Sequence, residues 1–422
     1  MNKDKLIPEL RFPEFENDGE WCETNLGDIG DFIGGGTPDT TKAEYWNGDI
    51  QWYTPTEVKE GKVGKSIRTI TELGLKNSSA KLLPKGSLLL TTRATIGDIA
   101  IADFECTTNQ GFQSLVVKET EINTFWFYWI IRHKNELIKK SSGSTFPEIG
   151  KTEITKINAL KPNKPEQQKI ASCLLSLDEA IATHSQKLDL LKDHKKGLMQ
   201  NLFPQEGEKV PKYRFKEFEK DGEWVDDILF NLAKNGFSNG VFNDPKKVGS
   251  GYKLINVINM YTESPICEND LSLLELSQSE FEKNKVEFGD IFFTRSSLVP
   301  EGIAKSNIYL GSSDDITYDG HLIRMQPKKE LTSPIFLHYL LKTENVRRQM
   351  IAKGKTATMT TIGQSDVASV EISYSKNPKE QQKIASCLSS LDALITAQAE
   401  KIEQLKLHKK GLMQGLFPKI NE

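Results

Sequence analysis

Apolar residues recur at alternating spacings of four and three along residues 170–202. The stripe consists of Ile170, Leu174, Leu177, Ile181, Leu188, Leu191, Leu198 and Leu202, with His184 and Lys195 at its two polar positions. The same register returns at Ile384, Leu388, Leu391, Ile395, Ile402, Leu405, Leu412 and Leu416, with Gln398 and Lys409 between them. This spacing predicts a coiled-coil seam on each of two helices.

Each predicted helix has start and stop signals. Asn163 and Asn377 are candidate N-caps, a proline follows within two positions, and Glu166 or Glu380 occupies the third helical position. Phe-Pro pairs at 203–204 and 417–418 end the helices.

A lone helix of about 48 Å cannot bury such a stripe, so the two copies are expected to pair with each other. In a parallel pair Lys195 would face Lys409 inside the seam, which is unfavourable. An antiparallel pair places Lys195 near Leu391 and Lys409 near Leu177, and this orientation is predicted. In the alternative, the helices are only core elements of two separate domains.

The chain is internally duplicated. The segment EQQKIASCL occupies residues 166–174 and again 380–388, and 26 of the 39 positions from 166 to 204 are identical 214 residues later. A second repeat, PELRFPEFENDGEW at 8–21, returns as PKYRFKEFEKDGEW at 211–224. A repeat of this length predicts two similar units.

Between the repeated blocks lie two divergent segments with the same order of predicted elements. Apolar runs predict strands at 50–55, 87–93, 98–102 and 113–118, and again at 253–259, 290–295, 302–310 and 321–327. An amphipathic helix follows in each segment, near 124–140 and near 334–352.

The predicted fold class is α/β (α+β), with two globular domains separated by a long antiparallel two-helix coiled coil and an internal pseudo-twofold duplication. The predicted domains are 1–164 (N-terminal arm and first globular domain), 165–204 (first helix), 205–224 (linker repeating the arm), 225–377 (second globular domain) and 378–422 (second helix).

Composition is that of an ordinary soluble chain, with 37% apolar and 27% charged residues. No run of 18 apolar residues and no apolar signal core occur, so a cytoplasmic location is expected. The five cysteines form no CxxC pair and the six histidines no HExxH motif, so neither disulfides nor a metal site are expected. The net charge of −3 leans against a nucleic-acid binder unless a basic face is local.

Two such local concentrations of positive charge follow the predicted helices. Residues 131–145 carry a net charge of +3 and residues 342–358 a net charge of +4, both beside Gly, Ser and Thr. Cations and small residues together suit phosphate contact, whereas the alternative is a solvated helix face. The candidate contacts are Lys139, Lys140, Ser144 and Thr145 in the first segment and Arg347, Arg348, Lys353, Lys355 and Thr356 in the second.

Further candidates end a strand in each segment: Thr91, Thr92 and Arg93, and Arg295 with Ser296. Arginine donates two hydrogen bonds to guanine, so Arg93 and Arg295 are candidate base readers.

Catalytic motifs are missing. The chain has no N/D-P-P-Y/F loop for methylation of an exocyclic amine and no GxxxxGK[ST] loop, and Gly34–Gly36 is interpreted as a turn. These features favour a reader or scaffold over an enzyme.

The chain resembles the specificity subunit of type I restriction-modification systems. The resemblance rests on RFPEF and RFKEF (11–15 and 214–218), GGTPDT…YWNGDIQWYTP (35–55), LLPKGSLLLTTRATIGDIAI (82–101), TNQGF (108–112) and the paired PEQQKIASCL…HKKGLMQNLFP blocks. Trp46, within the second motif, joins the candidate DNA contacts. The second segment departs from this pattern, since it has no GGTP and carries VPEG (299–302) in place of TIGD (95–98).

The resemblance implies two target-recognition domains, each reading one half of a bipartite site in double-stranded DNA. It implies that the helices separate the domains and dock two modification subunits, which bind S-adenosylmethionine and methylate adenine. Restriction subunits would then add ATP- and Mg-dependent translocation and cleavage, so this chain needs no cofactor of its own. Two other classes stay open from the residues alone: a coiled-coil adaptor without DNA specificity, and a stand-alone DNA-modifying enzyme.

Overall fold

The structure is a computed structural model that describes residues 6–58, 61–93, 95–142 and 147–418. The chain divides into two compact units. Unit 1 comprises Met1–Ser185 with Glu400–Glu422, and unit 2 comprises Gln186–Ala399. Each unit therefore includes a part of both long helices.

The strands and helices of unit 1 form three sheets and a helical cover. Its strands are β1 (Cys22–Asn25), β2 (Gly30–Gly34), β3 (Trp46–Tyr53), β4 (Gly61–Val63), β5 (Arg68–Ile70), β6 (Leu88–Leu90), β7 (Ile99–Ala102), β8 (Cys106–Thr108), β9 (Gln113–Val117) and β10 (Asn158–Lys161). Its helices are α1 (Glu72–Lys76), α2 (Asn123–Arg132), α3 (Lys134–Lys139), α4 (Lys151–Thr155) and α5 (Lys164–Asn201), of which the residues from Gln186 belong to unit 2. The sheets have the orders β2-β9-β6-β7-β4, β5-β3-β8 and β1-β10. Aromatic residues of α2, including Phe125 and Trp129, are buried against the largest sheet.

Unit 2 is built from a matching series of elements. Its strands are β11 (Val225–Ile228), β12 (Ala233–Asn239), β13 (Val248–Ile255), β14 (Ser272–Leu274), β15 (Ile291–Thr294), β16 (Ser296–Ser297), β17 (Ser306–Ile308), β18 (Ile316–Tyr318), β19 (Leu322–Pro327), β20 (Lys355–Thr356), β21 (Thr360–Thr361) and β22 (Glu371–Tyr374). Its helices are α6 (Gln278–Asn284), α7 (Pro334–Leu340), α8 (Glu344–Ala352), α9 (Gln364–Ala368) and α10 (Pro378–Gly415), of which the residues from Glu400 belong to unit 1.

Sheet topology is duplicated even where sequence is not. The order β12-β19-β15-β17 repeats β2-β9-β6-β7, and β14-β13-β18 repeats β5-β3-β8, in each of which the central strand has one antiparallel and one parallel neighbour. The antiparallel pair β11-β22 repeats β1-β10. The counterpart of β4 in unit 2 is an isolated parallel bridge between Ile266 and Tyr309. The predicted duplication is confirmed at the level of topology.

The eight strands predicted from apolar runs all occur, as β3, β6, β7, β9, β13, β15, β17 and β19. The two amphipathic helices that follow are each broken in two. The helix predicted near 124–140 breaks at His133, whose φ and ψ of −105° and 19° are not helical. The helix predicted near 334–352 is divided as well: α7 ends at Leu340, and Thr343, whose backbone is extended, is the N-cap of α8.

The predicted N-caps of the long helices are confirmed. The Asn163 Oδ1 accepts a hydrogen bond from the Glu166 backbone N–H at 2.9 Å, and the Asn377 Oδ1 accepts one from Lys379 at 2.9 Å. The Glu166 carboxylate, at the third helical position, binds the Arg11 guanidinium at 2.9 and 2.8 Å.

That ion pair fastens the N-terminal arm to α5 and has a duplicate in unit 2. Arg214 binds Glu380 with the same two-pronged geometry, at 2.7 and 2.8 Å. Both carboxylates are almost fully buried, at 1% and 0% exposure, and are compensated by their arginines. Each arm also binds the end of the other long helix in its unit. The Leu10 N–H donates to the Gly415 carbonyl of α10, and the Tyr213 N–H donates to the Asn201 carbonyl of α5, both at 2.8 Å. Repeated RFPEF-type segments are thus explained by repeated packing.

The long helices run antiparallel within each unit, as predicted. In unit 1 the Lys409 Nζ lies 2.6 and 2.8 Å from the Asp178 carboxylate oxygens, and in unit 2 the Lys195 Nζ lies 2.5 Å from Asp392. Each aspartate also accepts a hydrogen bond from a tyrosine of its own unit, Tyr128 at 2.6 Å or Tyr339 at 2.7 Å. The sixteen apolar seam residues predicted from the sequence are all buried or half-buried, and none is exposed.

Candidate nucleic-acid interface

Unit 2 gathers three predicted contact residues on one small sheet beyond the end of β15, and Arg295 directly precedes this sheet. The antiparallel order β16-β21-β20 pairs Ser296 with Thr361, and Thr361 with Lys355. The Thr356 and Thr360 hydroxyls lie 3.1 Å apart across this hairpin. Arg295, Lys355 and Thr356 are exposed, while Ser296 is half-buried. Ser296 and Lys355, both paired with Thr361, therefore lie on one face of this small sheet and Thr356 on the other, because successive strand residues point to opposite faces, and their hydroxyl and ammonium groups suit phosphate and base-edge contacts.

Unit 1 places Thr92 and Arg93 in the corresponding position after β6. Arg93 forms an antiparallel bridge with Glu148, and their side chains form an ion pair of 2.8 Å. Ser142 bridges the other side of Glu148. Ser144 and Thr145, predicted as contacts from the sequence, lie outside the described residues.

The two candidate base-reading arginines differ by one residue in register. The Thr92 carbonyl accepts the Ile149 N–H at 3.2 Å, whereas in unit 2 the Arg295 carbonyl accepts the Ile362 N–H at 2.9 Å. Arg93 thus stands where unit 2 has Ser296. Because successive strand residues point to opposite faces, Arg93 and Arg295 are not equivalent.

The Thr91 and Thr92 hydroxyls are used inside the fold. Both side chains are buried, and their hydroxyls donate to the carbonyls of Asp98 at 3.1 Å and Gly111 at 3.2 Å. They shape the strand end that carries Arg93.

The remaining predicted cations occupy distinct environments. Lys139 and Lys140 are exposed at the end of α3, and Lys353 is half-buried at the end of α8. The exposed guanidinium of Arg348 lies 3.0 Å from Glu206 and 3.4 Å from Glu344, which neutralise it locally.

Arg347 is a structural support in the same helix. Its guanidinium donates to the carbonyls of Glu301, Ile303 and Ala304 at 2.9, 3.0 and 2.6 Å. Burial lowers its pKa. The turn that it holds includes Ala304 at a φ of 46°, a backbone conformation that costs about 1 kcal/mol or more for a residue with a Cβ.

Trp46 forms a platform inside the fold. Its side chain is 7% exposed, and its indole N–H donates to the Asp39 carbonyl at 3.1 Å. The guanidinium carbon of Arg68 lies 3.6 Å from the centroid of its ring. No pattern in the sequence singles out Arg68, because its partner Trp46 lies on another strand, 22 positions earlier.

The described part of the chain holds no cluster of three or more His, Cys, Asp or Glu that could bind a metal ion. Within the same residues, no helix combines the length and apolar character required to cross a membrane.

Comparison with known proteins identifies one family. A family model described as the type I restriction modification DNA specificity domain matches residues 18–193 and 241–407. The MjaIX specificity subunit of a type I restriction enzyme from Methanocaldococcus jannaschii is 36% identical over 237 residues, which cover 55% of this chain and 53% of that one. The EcoR124I/EcoR124II specificity subunit from Escherichia coli is 30% identical over 170 residues, covering 39% of this chain and 42% of that one. The chain thus matches about half, or less, of the length of these relatives.

Two solved structures share the fold. The S subunit of a type I restriction-modification system from M. genitalium aligns with a TM-score of 0.61 at 13% identity, covering 99% of this chain and 100% of that one. A chain from a structure concerned with complex assembly and conformational transition of the type I system aligns with a TM-score of 0.56 at 16% identity, covering 94% and 97%. The two-domain α/β architecture is common to all of them.

Proposed function

Because the chain belongs to the type I restriction-modification DNA specificity family, we propose that it is the DNA sequence-recognition subunit of a type I restriction-modification complex. Its two target-recognition domains, 1–164 and 225–377, would each read one half of a bipartite site in double-stranded DNA. The chain itself would be non-catalytic, as the relatives named specificity subunits suggest.

The observation that carries this proposal is the duplicated strand end with divergent side chains. The same backbone position presents Arg93 beside Glu148 in unit 1 and Ser296 beside Thr361 in unit 2. A duplicated fold whose exposed side chains differ at one matching place suits two readers of different sequences. An adaptor without DNA specificity gives no reason for this divergence.

Docking of two modification subunits is supported by the exposed faces of the long helices. Many identical residues of the repeat have internal partners, such as Glu166 with Arg11 and Asp178 with Lys409. Other identical residues are exposed in both copies: Gln168 and Gln382, Ser172 and Ser386, Lys192 and Lys406, His194 and His408, Lys196 and Lys410, and Gln200 and Gln414. Two matching exposed faces suit two identical partners. S-adenosylmethionine, ATP and Mg would bind those partners and the restriction subunits that join them, in the cytoplasm.

A domain exchange tests the proposal. Residues 22–162 are replaced by the matching segment of a relative, the chimera is expressed with its modification subunit, and the methylated adenines are located by sequencing. One half-site should change while the other is kept. The reciprocal exchange of residues 225–376 should change the other half-site. A change in both half-sites from one exchange, or in neither, contradicts the proposal.

Catalysis is tested separately, with the purified chain, labelled S-adenosylmethionine and DNA that contains the site. Transfer of label should require the modification subunit. Methylation by the chain alone would make it a modifying enzyme.

A further inference from the structure

Arg68 is an exposed arginine that stacks on two buried tryptophans of unit 1. It begins the edge strand β5 and lies opposite Trp52 on β3. Its guanidinium carbon is 3.6 Å from the centroid of the Trp46 ring and 5.6 Å from that of Trp52. The two indoles meet edge to face, with centroids 5.1 Å apart. The guanidinium therefore lies against the face of Trp46.

The platform under Arg68 is fixed by hydrogen bonds. The Trp46 indole N–H donates to the Asp39 carbonyl at 3.1 Å, and the Trp52 indole N–H donates to the Gly36 carbonyl at 2.9 Å. Both rings are buried in a small core that includes Ile70. Stacking on a rigid ring reduces the rotamer freedom that an arginine loses when it binds a ligand.

The backbone that presents Arg68 is fixed as well. The Ser66 hydroxyl donates to the Arg68 carbonyl at 2.6 Å and accepts the Trp52 N–H at 3.1 Å. The Glu57 carboxylate binds the residue that precedes Arg68. It accepts hydrogen bonds from the Ile67 and Thr54 N–H groups and from the Thr54 hydroxyl.

Among the described residues, the N–H groups of Arg68 have no hydrogen-bond or ion-pair partner, in contrast to those of four other arginines. Arg11, Arg93 and Arg348 each bind a glutamate, and Arg347 binds three carbonyls. Arg68 is thus oriented by its ring contacts while its hydrogen-bonding capacity stays available to a ligand.

We propose that Arg68 reads a guanine in the half-site bound by unit 1, donating two hydrogen bonds to its O6 and N7 in the major groove. Trp46 is the positioning residue that holds the guanidinium, since its own ring face is covered by Arg68. The inference rests on the proposed function and deepens it by naming a base and two atoms. A phosphate contact tolerates many orientations of a cation, whereas guanine requires the fork to lie in the plane of the base pair. An arginine fixed on an aromatic face suits the second requirement.

The test uses the complex with its modification subunits and a duplex that carries the methylated site. Each guanine of the unit 1 half-site is replaced in turn by 7-deazaguanine, which removes the N7 acceptor and keeps Watson–Crick pairing. Wild-type affinity should fall about tenfold at one guanine. Arg68→Ala should lose about 10- to 100-fold in affinity for the unmodified site and become insensitive to that replacement. Arg68→Lys, which keeps the charge and removes the fork, should recover little.

Two further variants separate positioning from folding. Trp46→Phe keeps an aromatic face and should retain most of the discrimination at the same guanine, whereas Trp46→Ala should lose it. Unchanged discrimination at the other base pairs of the unit 1 half-site shows that unit 1 of Trp46→Ala still folds. Lys62→Ala, which removes an exposed cation from β4, should leave the sensitivity to 7-deazaguanine intact.

Three results would overturn the proposal. A unit 1 half-site without a G·C pair excludes it at once. An Arg68→Ala complex that keeps the wild-type sensitivity assigns the guanine to another residue. An equal loss on all DNA sequences, with a shallower salt dependence, assigns Arg68 to a phosphate. If the wild-type complex discriminates no sequence at all, the proposed function fails instead.

Discussion

His133 is a buried histidine that the fold keeps neutral. Its ring stacks on Trp129 at 4.1 Å, and its Nδ1 lies 2.8 Å from the Trp129 carbonyl, so Nδ1 carries the hydrogen. Burial, with a smaller contribution from the charge of Arg132, lowers its pKa to about 4.

We predict that His133 makes the stability of unit 1 depend on pH between about 6.5 and 4. In this window the unfolded chain binds a proton that the folded chain does not, so stability falls as pH falls, by about 2 kcal/mol at pH 5. Urea unfolding at pH 7 and pH 5 measures the loss. His133→Gln should lose less than wild type over the same interval, whereas His194→Gln, which changes an exposed histidine, should behave as wild type. Equal losses in all three would contradict the prediction.

Counts of charge along the sequence identified a basic segment but could not assign roles within it. Arg347 and Lys355 look alike in such a count. In the fold, the Arg347 guanidinium donates hydrogen bonds to three backbone carbonyls, whereas the Lys355 side chain is 80% exposed and lies 3.9 Å from Asp366. Arg68 was missed for the converse reason, because its role depends on a ring that only the folded sheet brings beneath it.

At the scale of elements, the hairpin β20-β21 and the end of α8 just before it are expected to contact DNA through their charges. Changing Lys353 and Lys355 together to glutamine should weaken binding to all sequences by a similar factor, because phosphate contacts carry no sequence information. The slope of log K against log salt should fall by about one unit for each phosphate that the variant no longer neutralises. Fluorescence anisotropy from low to moderate salt measures this slope. Glu344→Gln, on the same helix as Arg347, is a control that removes a negative charge. An unchanged slope in the lysine variant would show that these residues face solvent and do not contact DNA.

The antiparallel helix pair makes a prediction about which residues are energetically coupled. Asp178 contacts Lys409 and lies on the same helix as Lys195, about 25 Å away along its axis. A double-mutant cycle of Asp178→Asn and Lys409→Met should give a coupling energy of about 0.5–1 kcal/mol. The matched cycle of Asp178→Asn with Lys195→Met should give none. An absence of coupling in the first cycle would contradict the antiparallel arrangement.

The seam was predictable because it depends on a local period and on two lysines that cannot face one another. The lysines lie beside Asp178 and Asp392, one residue from the predicted Leu177 and Leu391. The aspartates themselves were missed, because their hydrogen bonds from Tyr128 and Tyr339 come from the globular segments. Their identity in both copies was the available signal.

At the scale of the whole molecule, each unit is completed by the end of a helix that begins in the other. Phe417 packs on Trp21 and Phe125 of unit 1, with ring centroids 6.3 and 5.4 Å apart. Phe203 packs on Trp224 and Phe336 of unit 2, at 6.2 and 5.6 Å. Sequence repeats predicted two units but not this exchange of helix ends, since no local pattern records which copy a helix end packs against.

Both long helices pass from one unit to the other, so their length is expected to set the spacer between the two half-sites. Insertion near Ser375–Asn377 would disrupt the cap formed there, whereas a heptad added after Ser185 in α5 and after Ala399 in α10 keeps both seams in register. Seven residues add about 10 Å, the rise of about three base pairs at roughly 3.4 Å each. The half-site sequences should stay unchanged, because no base-reading residue is altered, while the spacer lengthens by about three base pairs. Sequencing of methylated adenines, with the variant expressed beside its modification subunit, measures the spacer. A matched insertion of four residues in each helix breaks the seam register and should lower the melting temperature instead. A heptad variant that folds and methylates the original spacing would show that the helices do not set the distance.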